Sequence, residues 1–219
     1  MRDTFEKSML NIFQNEISKT YQLKCVPFLL FQLSALSSAF LENFCQTLIN
    51  TIIKRNSAIS KEQIINSFFY VGSLLSRGQF ISASFLNTQI KSLLVYASNY
   101  LEANKVLFQN IIDPQQQLQK NDVEEQEAIR QHYLLFYLVQ VVMYIYCFKS
   151  DEIDGANSEQ FLSIINNEHF LNFKQVIYKR ILIEFGKVAK NSKCFSRWKG
   201  FEEVSLFSNS KLLARDSDF

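Results

Sequence analysis

Glycine and proline are scarce, with 5 and 2 in a chain of 219 residues. Glycine is the residue that tolerates positive φ, so phosphate-cradling loops, dinucleotide crevices and turn-dense β-sandwiches depend on it. A chain this poor in glycine is built on none of them. Cysteine and histidine are few and scattered singly: Cys25, Cys45, Cys147 and Cys194, then His132 and His169. No CxxC, HxxxH or HExxH spacing occurs, so no structural zinc site is expected. No Gly-x-Ser-x-Gly elbow surrounds any serine, and neither histidine has a nucleophile at a suggestive spacing. Neither a catalytic residue, a cofactor site nor a metal site is therefore expected. An excess of one charge is missing too: 23 Lys and Arg stand against 21 Asp and Glu, for a net +2. No general electrostatic pull on nucleic acid follows. There is no Asn-x-Ser/Thr sequon, and the opening MRDTFEKSML carries charges where a secretory signal would be apolar. A reducing, intracellular setting is the expectation.

What is abundant is helical periodicity. Hydrophobic residues make up 47% of the chain, enough for a sizeable core or a short stack of helical layers. Within 61–77, Ile64, Phe68, Val71 and Leu75 recur at helical spacing, with Ile65, Phe69 and Gly72 in a parallel row. Phe85, Leu86, Ile90, Leu93, Leu94, Ala97 and Leu101 do the same over 84–101. In 174–190, Ile177, Ile181, Phe185 and Val188 share a face, with Lys179, Arg180, Lys187 and Lys190 largely elsewhere. Further helices are expected at 3–19, 26–38, 40–55, 158–168 and 197–207. Polar breaks at Asn56-Ser57, Gly78-Gln79, Asp154-Gly155 and Asn191-Ser192 separate them. No period-two run is long enough to argue a sheet. The fold class is all-α.

Two stretches stand apart. Residues 113–127 are glutamine-rich and then acidic, ending in Glu124, Glu125 and Glu127. They can bury little, so a mobile loop (109–128) or a solvated helix start is expected. Directly after comes the apolar run Tyr133–Phe148, broken only by Gln140. Sixteen residues cover about 24 Å as a helix, short of a hydrocarbon core of roughly 30 Å. Tyrosines spread along its length also fit a bilayer poorly. The simpler reading is a central helix buried all round. Cys45 and Cys147, inside apolar helical runs, read as small buried hydrophobes. Trp198, with Phe195 and Phe201, reads as packing onto the preceding helix.

Four motifs then point to one family. Ser67-Phe68-Phe69-Tyr70-Val71-Gly72-Ser73-Leu74-Leu75-Ser76-Arg77-Gly78-Gln79-Phe80-Ile81 resembles the YIGSFLARAKFI segment of the RNA polymerase I-specific transcription initiation factors. Tyr70, Gly72, Ser73, Leu75, Arg77, Phe80 and Ile81 match, while Gln79 stands where a basic residue is usual. Upstream, Phe40-Leu41-Glu42-Asn43-Phe44 with Leu48 is similar to the family's FLE-x-LW helix. Downstream, Gln140 with Tyr144-Ile145-Tyr146-Cys147-Phe148-Lys149 resembles its Q-x-x-x-Y-I-F-C-F-R helix, and Glu184-Phe185-Gly186-Lys187-Val188-Ala189 its EFAKIA stretch. The family's Leu-Asn-Pro turn is Leu171-Asn172-Phe173 here. The resemblance spans about 26–190 and corresponds to the C-terminal half or less of the longer family members.

The resemblance implies a HEAT-like solenoid of antiparallel helix pairs, each contacting its neighbours. The expected organisation is one such domain over 1–207 with a flexible tail at 208–219. It implies a non-enzymatic initiation factor, nuclear and nucleolar, that recruits polymerase I to ribosomal RNA gene promoters by bridging the polymerase and core promoter factors. Direct sequence-specific contact with nucleic acid and membrane attachment are not expected, and homodimerisation stays open. The alternatives are a generic helical adaptor and a membrane-associated protein anchored through 133–148. Candidate partner-binding residues are Arg77, Lys91, Lys179, Arg180, Lys187 and Lys190. Arg77-Gly78 also has a local explanation: a cation at the negative helix end, followed by glycine in a left-handed cap. Gly72 inside a helix costs about 1 kcal/mol against Ala, which suits a close neighbouring helix. Ser57, Ser60, Ser82 and Ser84 lie in expected loops and could accept phosphate.

Overall fold

The structure, a computed structural model, describes residues 2–20, 26–54, 59–104, 122–167 and 179–198. Among the described residues there are eight α-helices and no strand. They are α1 (Arg2–Asn15), α2 (Val26–Leu36), α3 (Ser38–Ile53), α4 (Lys61–Arg77), α5 (Ala83–Ala103), α6 (Asp122–Lys149), α7 (Gly155–Ile165) and α8 (Lys179–Asn191). Short 3-10 turns follow α1, α6 and α8 at Ile17–Lys19, Ser150–Glu152 and Lys193–Phe195. The fold is all-α, as the periodicity predicts. Packing divides the chain into two compact units, Met1–Tyr96 and Ala97–Phe219, with the division falling inside α5.

In the first unit the helix boundaries have side-chain causes. Between α2 and α3, Ser37 is extended (φ −144°, ψ 112°), and its hydroxyl accepts the Phe40 N–H at 3.2 Å. At the start of α4 a reciprocal box forms. The Gln63 N–H donates to the Ser60 hydroxyl at 3.3 Å, and the Ser60 N–H donates to Gln63 Oε1 at 3.0 Å. Each bond satisfies a backbone donor that a helix start would otherwise leave orphaned. The predicted stripe Ile64, Phe68, Val71 and Leu75 is wholly buried, whereas Phe69 of the parallel row is 53% exposed. On α3, Phe40, Leu41, Phe44 and Leu48 are buried. Helix α3 packs between α2 and α4. Phe13 of α1 enters the same core, edge-on to Phe44 at 5.0 Å and to Tyr70 at 5.1 Å.

A polar seam accompanies that aromatic contact. Having used its oxygen on its own helix cap, Gln63 donates Nε2 to the Gln14 carbonyl at 3.3 Å and to Ser18 Oγ at 3.1 Å. One turn on, Asn66 Nδ2 donates to the Ser18 carbonyl at 2.9 Å. Gln63, Asn66 and Ser18 are all buried. Buried amides left unbonded would cost about 1–3 kcal/mol each, so these partners fix how α4 meets the turn after α1.

The C-terminus of α4 differs from expectation. Gly78 has φ −69° and ψ 99°, so it is not a left-handed cap. Its glycine requirement comes from crowding: a Cβ there would lie 2.8 Å from the Leu74 carbonyl oxygen and 2.8 Å from Ile81 Cδ1. Close approach, not backbone handedness, is the physical reason.

In the second unit, α6 is longer than its apolar run, because the acidic stretch from Asp122 is already helical. Residues 109–121 of the expected loop, and the whole expected tail 208–219, lie outside the described residues. By length and composition His132–Glu152 could cross a membrane, but 56% of its apolar window is buried inside the protein. Leu134, Leu135, Phe136, Leu138, Val139, Val142, Met143, Ile145 and Tyr146 are at most 3% exposed. That supports the core reading for most of the run, but the helix is not buried all round: Tyr133, Tyr137, Gln140, Tyr144 and Cys147 are half-buried and Phe148 is 53% exposed.

Helix α7 starts at Gly155 rather than 158 and ends at Ile165. Its cap is Asp154, whose side chain accepts the Asn157 N–H at 2.7 Å. On α8 the buried face is Leu182, Ile183, Phe185, Gly186 and Ala189, while Ile181 and Val188 are only half-buried. The stripe is rotated from the predicted one. Small Gly186 and Ala189 form part of the contact, and a reading weighted toward large apolar residues passes over them. The helix expected at 197–207 falls outside the described residues from 199 onward, and Arg197 and Trp198 follow a 3-10 turn. Cys25, Ser57, His169, the Leu171-Asn172-Phe173 turn, Ile177 and Phe201 also lie outside them.

An aromatic cage closes this unit. Tyr146 of α6 stacks on Phe161 of α7 at 5.3 Å and meets Phe195 edge-on at 5.1 Å. Phe185 of α8 lies 5.2 Å from Phe195 and 5.1 Å from Trp198. Trp198 therefore packs onto the preceding helix, as expected. The Tyr146 hydroxyl donates to Ser158 Oγ at 3.0 Å, and that hydroxyl donates to the Asp154 carbonyl at 3.0 Å.

Candidate functional site

The groups that could carry chemistry are spent on structure. Burial pushes the Cys45 thiol up to about 12. Cys147 rises to about 11, through burial first and then the nearby Glu184 carboxylate. Neither is a thiolate at neutral pH, so neither is a ready nucleophile. Burial also raises Tyr70 and Tyr146. His132 is buried, with Nδ1 2.8 Å from the Tyr100 hydroxyl. Glu62, in the first turn of α4, is held below its usual range by its own backbone N–H and then by the Ser60 hydroxyl. It remains a solvated carboxylate. Among the described residues no three of His, Cys, Asp and Glu come close enough to hold a metal ion.

Ser60 caps α4, and Ser82 serves α5 in the same way, accepting the Phe85 N–H at 3.3 Å. Ser84 is exposed in the first turn of α5. Ser60, Ser82 and Ser84 are therefore exposed at helix starts, and two of them already act as hydrogen-bond acceptors there.

Besides the exposed thiol of Cys194, what the described surface offers is charge. Arg77 ends α4 and Lys91 lies on α5, both exposed in the first unit. Lys179, Arg180, Lys187 and Lys190 are exposed on α8 in the second. At about 100° per residue these four fall within one sector of roughly 100°. Lys187 pairs with Glu184 at 2.7 Å, a surface contact with half or more of each side chain in solvent. Such a pair contributes little to stability, about 0–1 kcal/mol. The sequence reading missed two further exposed cations just beyond the helix, Lys193 and Arg197. Their signal was charge density, since 179–197 holds six cations and one carboxylate, whereas the whole chain is only +2.

It also missed an uncharged outer face on α2. Phe28, Leu29, Gln32, Ala35 and Leu36 are all exposed, with Leu36 at 73%. Their spacing is that of one helix side, opposite buried Leu30 and Ser34. The largely apolar composition of 26–36 could have revealed it.

Comparison with known proteins agrees with the motif reading. The profile of the family described as RNA polymerase I specific transcription initiation factor RRN3 matches residues 1–194. The RNA polymerase I-specific transcription initiation factor RRN3 of Saccharomyces cerevisiae is 22% identical over 203 residues, covering 86% of this chain and 29% of its own. A crystal structure of RNA polymerase I transcription initiation factor Rrn3 superposes with a TM-score of 0.66 at 19% identity. It covers 96% of this chain and 42% of that one, and likeness at such identity concerns the fold. The chain thus spans less than a third of the curated relative and less than half of the solved one.

Proposed function

Because the chain belongs to the RNA polymerase I specific transcription initiation factor RRN3 family, we propose that it helps recruit RNA polymerase I to ribosomal RNA gene promoters. It does so without catalysis, by bridging polymerase subunits and core promoter factors through exposed helical faces. The observation that carries this reading is the family match over residues 1–194. The solvent-facing cations Arg77, Lys91, Lys179, Arg180, Lys187 and Lys190 are its proposed contacts. The organisation that goes with it is a HEAT-like helical domain over 1–207, with a polar segment at 109–128 and a tail at 208–219. Its place is the nucleus and, within it, the nucleolus.

Co-precipitation from nuclear extract tests the reading. Tagged full chain should recover RNA polymerase I subunits or core promoter factors. Recovery of neither, with the protein located outside the nucleus, overturns it.

A further inference from the structure

Cations are concentrated at one place along this chain, as carboxylates are at 122–127. Residues 179–197 carry Lys179, Arg180, Lys187, Lys190, Lys193 and Arg197 against Glu184 alone, so the remainder of the chain is net negative. All six cations are exposed. The four on α8 share one sector of the helix, and like charge concentrated in this way lowers local stability through self-repulsion. Lys187 has a carboxylate partner at 2.7 Å in Glu184.

The backbone beneath these cations is held firmly. Phe185, Phe195 and Trp198 are buried together under the face, which clamps the end of α8 and the turn after it. Asn166 Nδ2 donates to the Arg197 carbonyl at 2.9 Å and ties that turn to the end of α7. A charged face on a pinned scaffold loses little order when it binds.

We propose that the strip formed by Arg180, Lys190, Lys193 and Arg197, with Lys179 and Lys187 beside them, is a docking surface for an acidic peptide segment of a partner protein. This deepens the proposed function by naming the chemistry of one bridging contact, and it rests on that reading only for who the partner is. Charge complementarity selects an acidic ligand. Protein is favoured over single-stranded nucleic acid because the nearby aromatics, Phe195 and Trp198, are buried and offer no stacking platform for bases.

The test uses the full chain and a fluorescent oligo-glutamate peptide, read by anisotropy, with oligo-glutamine of equal length as control. The wild type should bind oligo-glutamate, lose affinity as salt rises, and ignore oligo-glutamine. The variant carrying Arg180→Glu, Lys190→Glu, Lys193→Glu and Arg197→Glu should bind about tenfold more weakly or worse, with unchanged circular dichroism. Lys7→Glu with Lys19→Glu, two exposed cations outside every proposed contact, should bind as wild type does. Equal binding of both peptides, or no loss in the strip variant, overturns the proposal. So does tighter, strip-dependent binding of a DNA duplex or single strand than of the peptide. Polymerase I capture is scored separately: peptide binding without capture sinks the functional reading alone, and capture without peptide binding sinks the strip alone.

Discussion

The two compact units solve the same packing problem by different means. In Met1–Tyr96, three rings (Phe13, Phe44 and Tyr70) meet edge-on, and the buried amides of Gln63 and Asn66 are bonded beside them to the turn after α1. In Ala97–Phe219, five rings (Tyr146, Phe161, Phe185, Phe195 and Trp198) cluster, with one hydroxyl bond from Tyr146 to Ser158. Apolar area is non-directional and tolerates a small slide. A buried amide tolerates none, because a slide strands its donors. The seam between α4 and the end of α1 is therefore pinned by buried amides, whereas the cage around Tyr146 is held mainly by the fit of its rings.

The largest effects should come from the rings and should be alike in the two units. Phe44→Ala and Phe185→Ala each remove a fully buried ring and should each cost about 3–5 kcal/mol in urea denaturation. A much smaller loss at Phe185 would mean that the remaining four rings collapse into the gap, and the cage would then be the softer core.

The polar groups should separate the units. Gln63→Glu keeps an acceptor for the Ser60 N–H but loses both donors to Gln14 and Ser18. It also buries a carboxylate, and should cost about 2–4 kcal/mol at neutral pH. The sign of its pH dependence is fixed. Burial raises the folded-state pKa of the introduced carboxyl above an unfolded value of about 4.3, so the penalty is present when the group is charged and shrinks as pH falls through the folded pKa toward that value. Tyr146→Phe keeps the ring and gives up one hydroxyl bond, for about 0.5–1.5 kcal/mol. Equal losses at the two positions would erase the distinction between them.

The two glycines should shift stability with opposite signs, and the smallest effect of all is expected at Gly155. Gly78→Ala in the first unit drives a methyl against the Leu74 carbonyl oxygen and should cost roughly 1–3 kcal/mol. Gly155→Ala at the start of α7 meets nothing within 4 Å and should be neutral or stabilise by up to about 1 kcal/mol. Thermal melts of both variants decide it. A Gly78→Ala chain as stable as wild type would mean that Ile81 and the turn yield freely.

Much of this was legible without coordinates. The stripe Ile64, Phe68, Val71 and Leu75 could be read because its period is local, and the motifs around Tyr70 and Tyr144 led to the family. The α8 stripe was misplaced because Ile181, Leu182 and Ile183 are all apolar, so periodicity could not choose among them, and because Gly186 and Ala189 bury by being small. Gly78 was assigned the wrong reason because close approach depends on Ile81, which only the folded turn brings back. Among the candidate surface residues, Lys193 and Arg197 were missed because they lie past the helix, where periodicity stops and only folding shows that they share a rigid base with α8.

Local chemistry determined the helices, their apolar stripes and most of their ends, because backbone hydrogen bonds and caps are satisfied by residues three or four apart. Ser60 and Gln63 illustrate the limit. In the capping box they form, Glu would serve the helix start as well as Gln. The tertiary structure decided for the amide, since the Gln14 carbonyl and the Ser18 hydroxyl, some 45 positions or more away, need a donor that a carboxylate cannot supply.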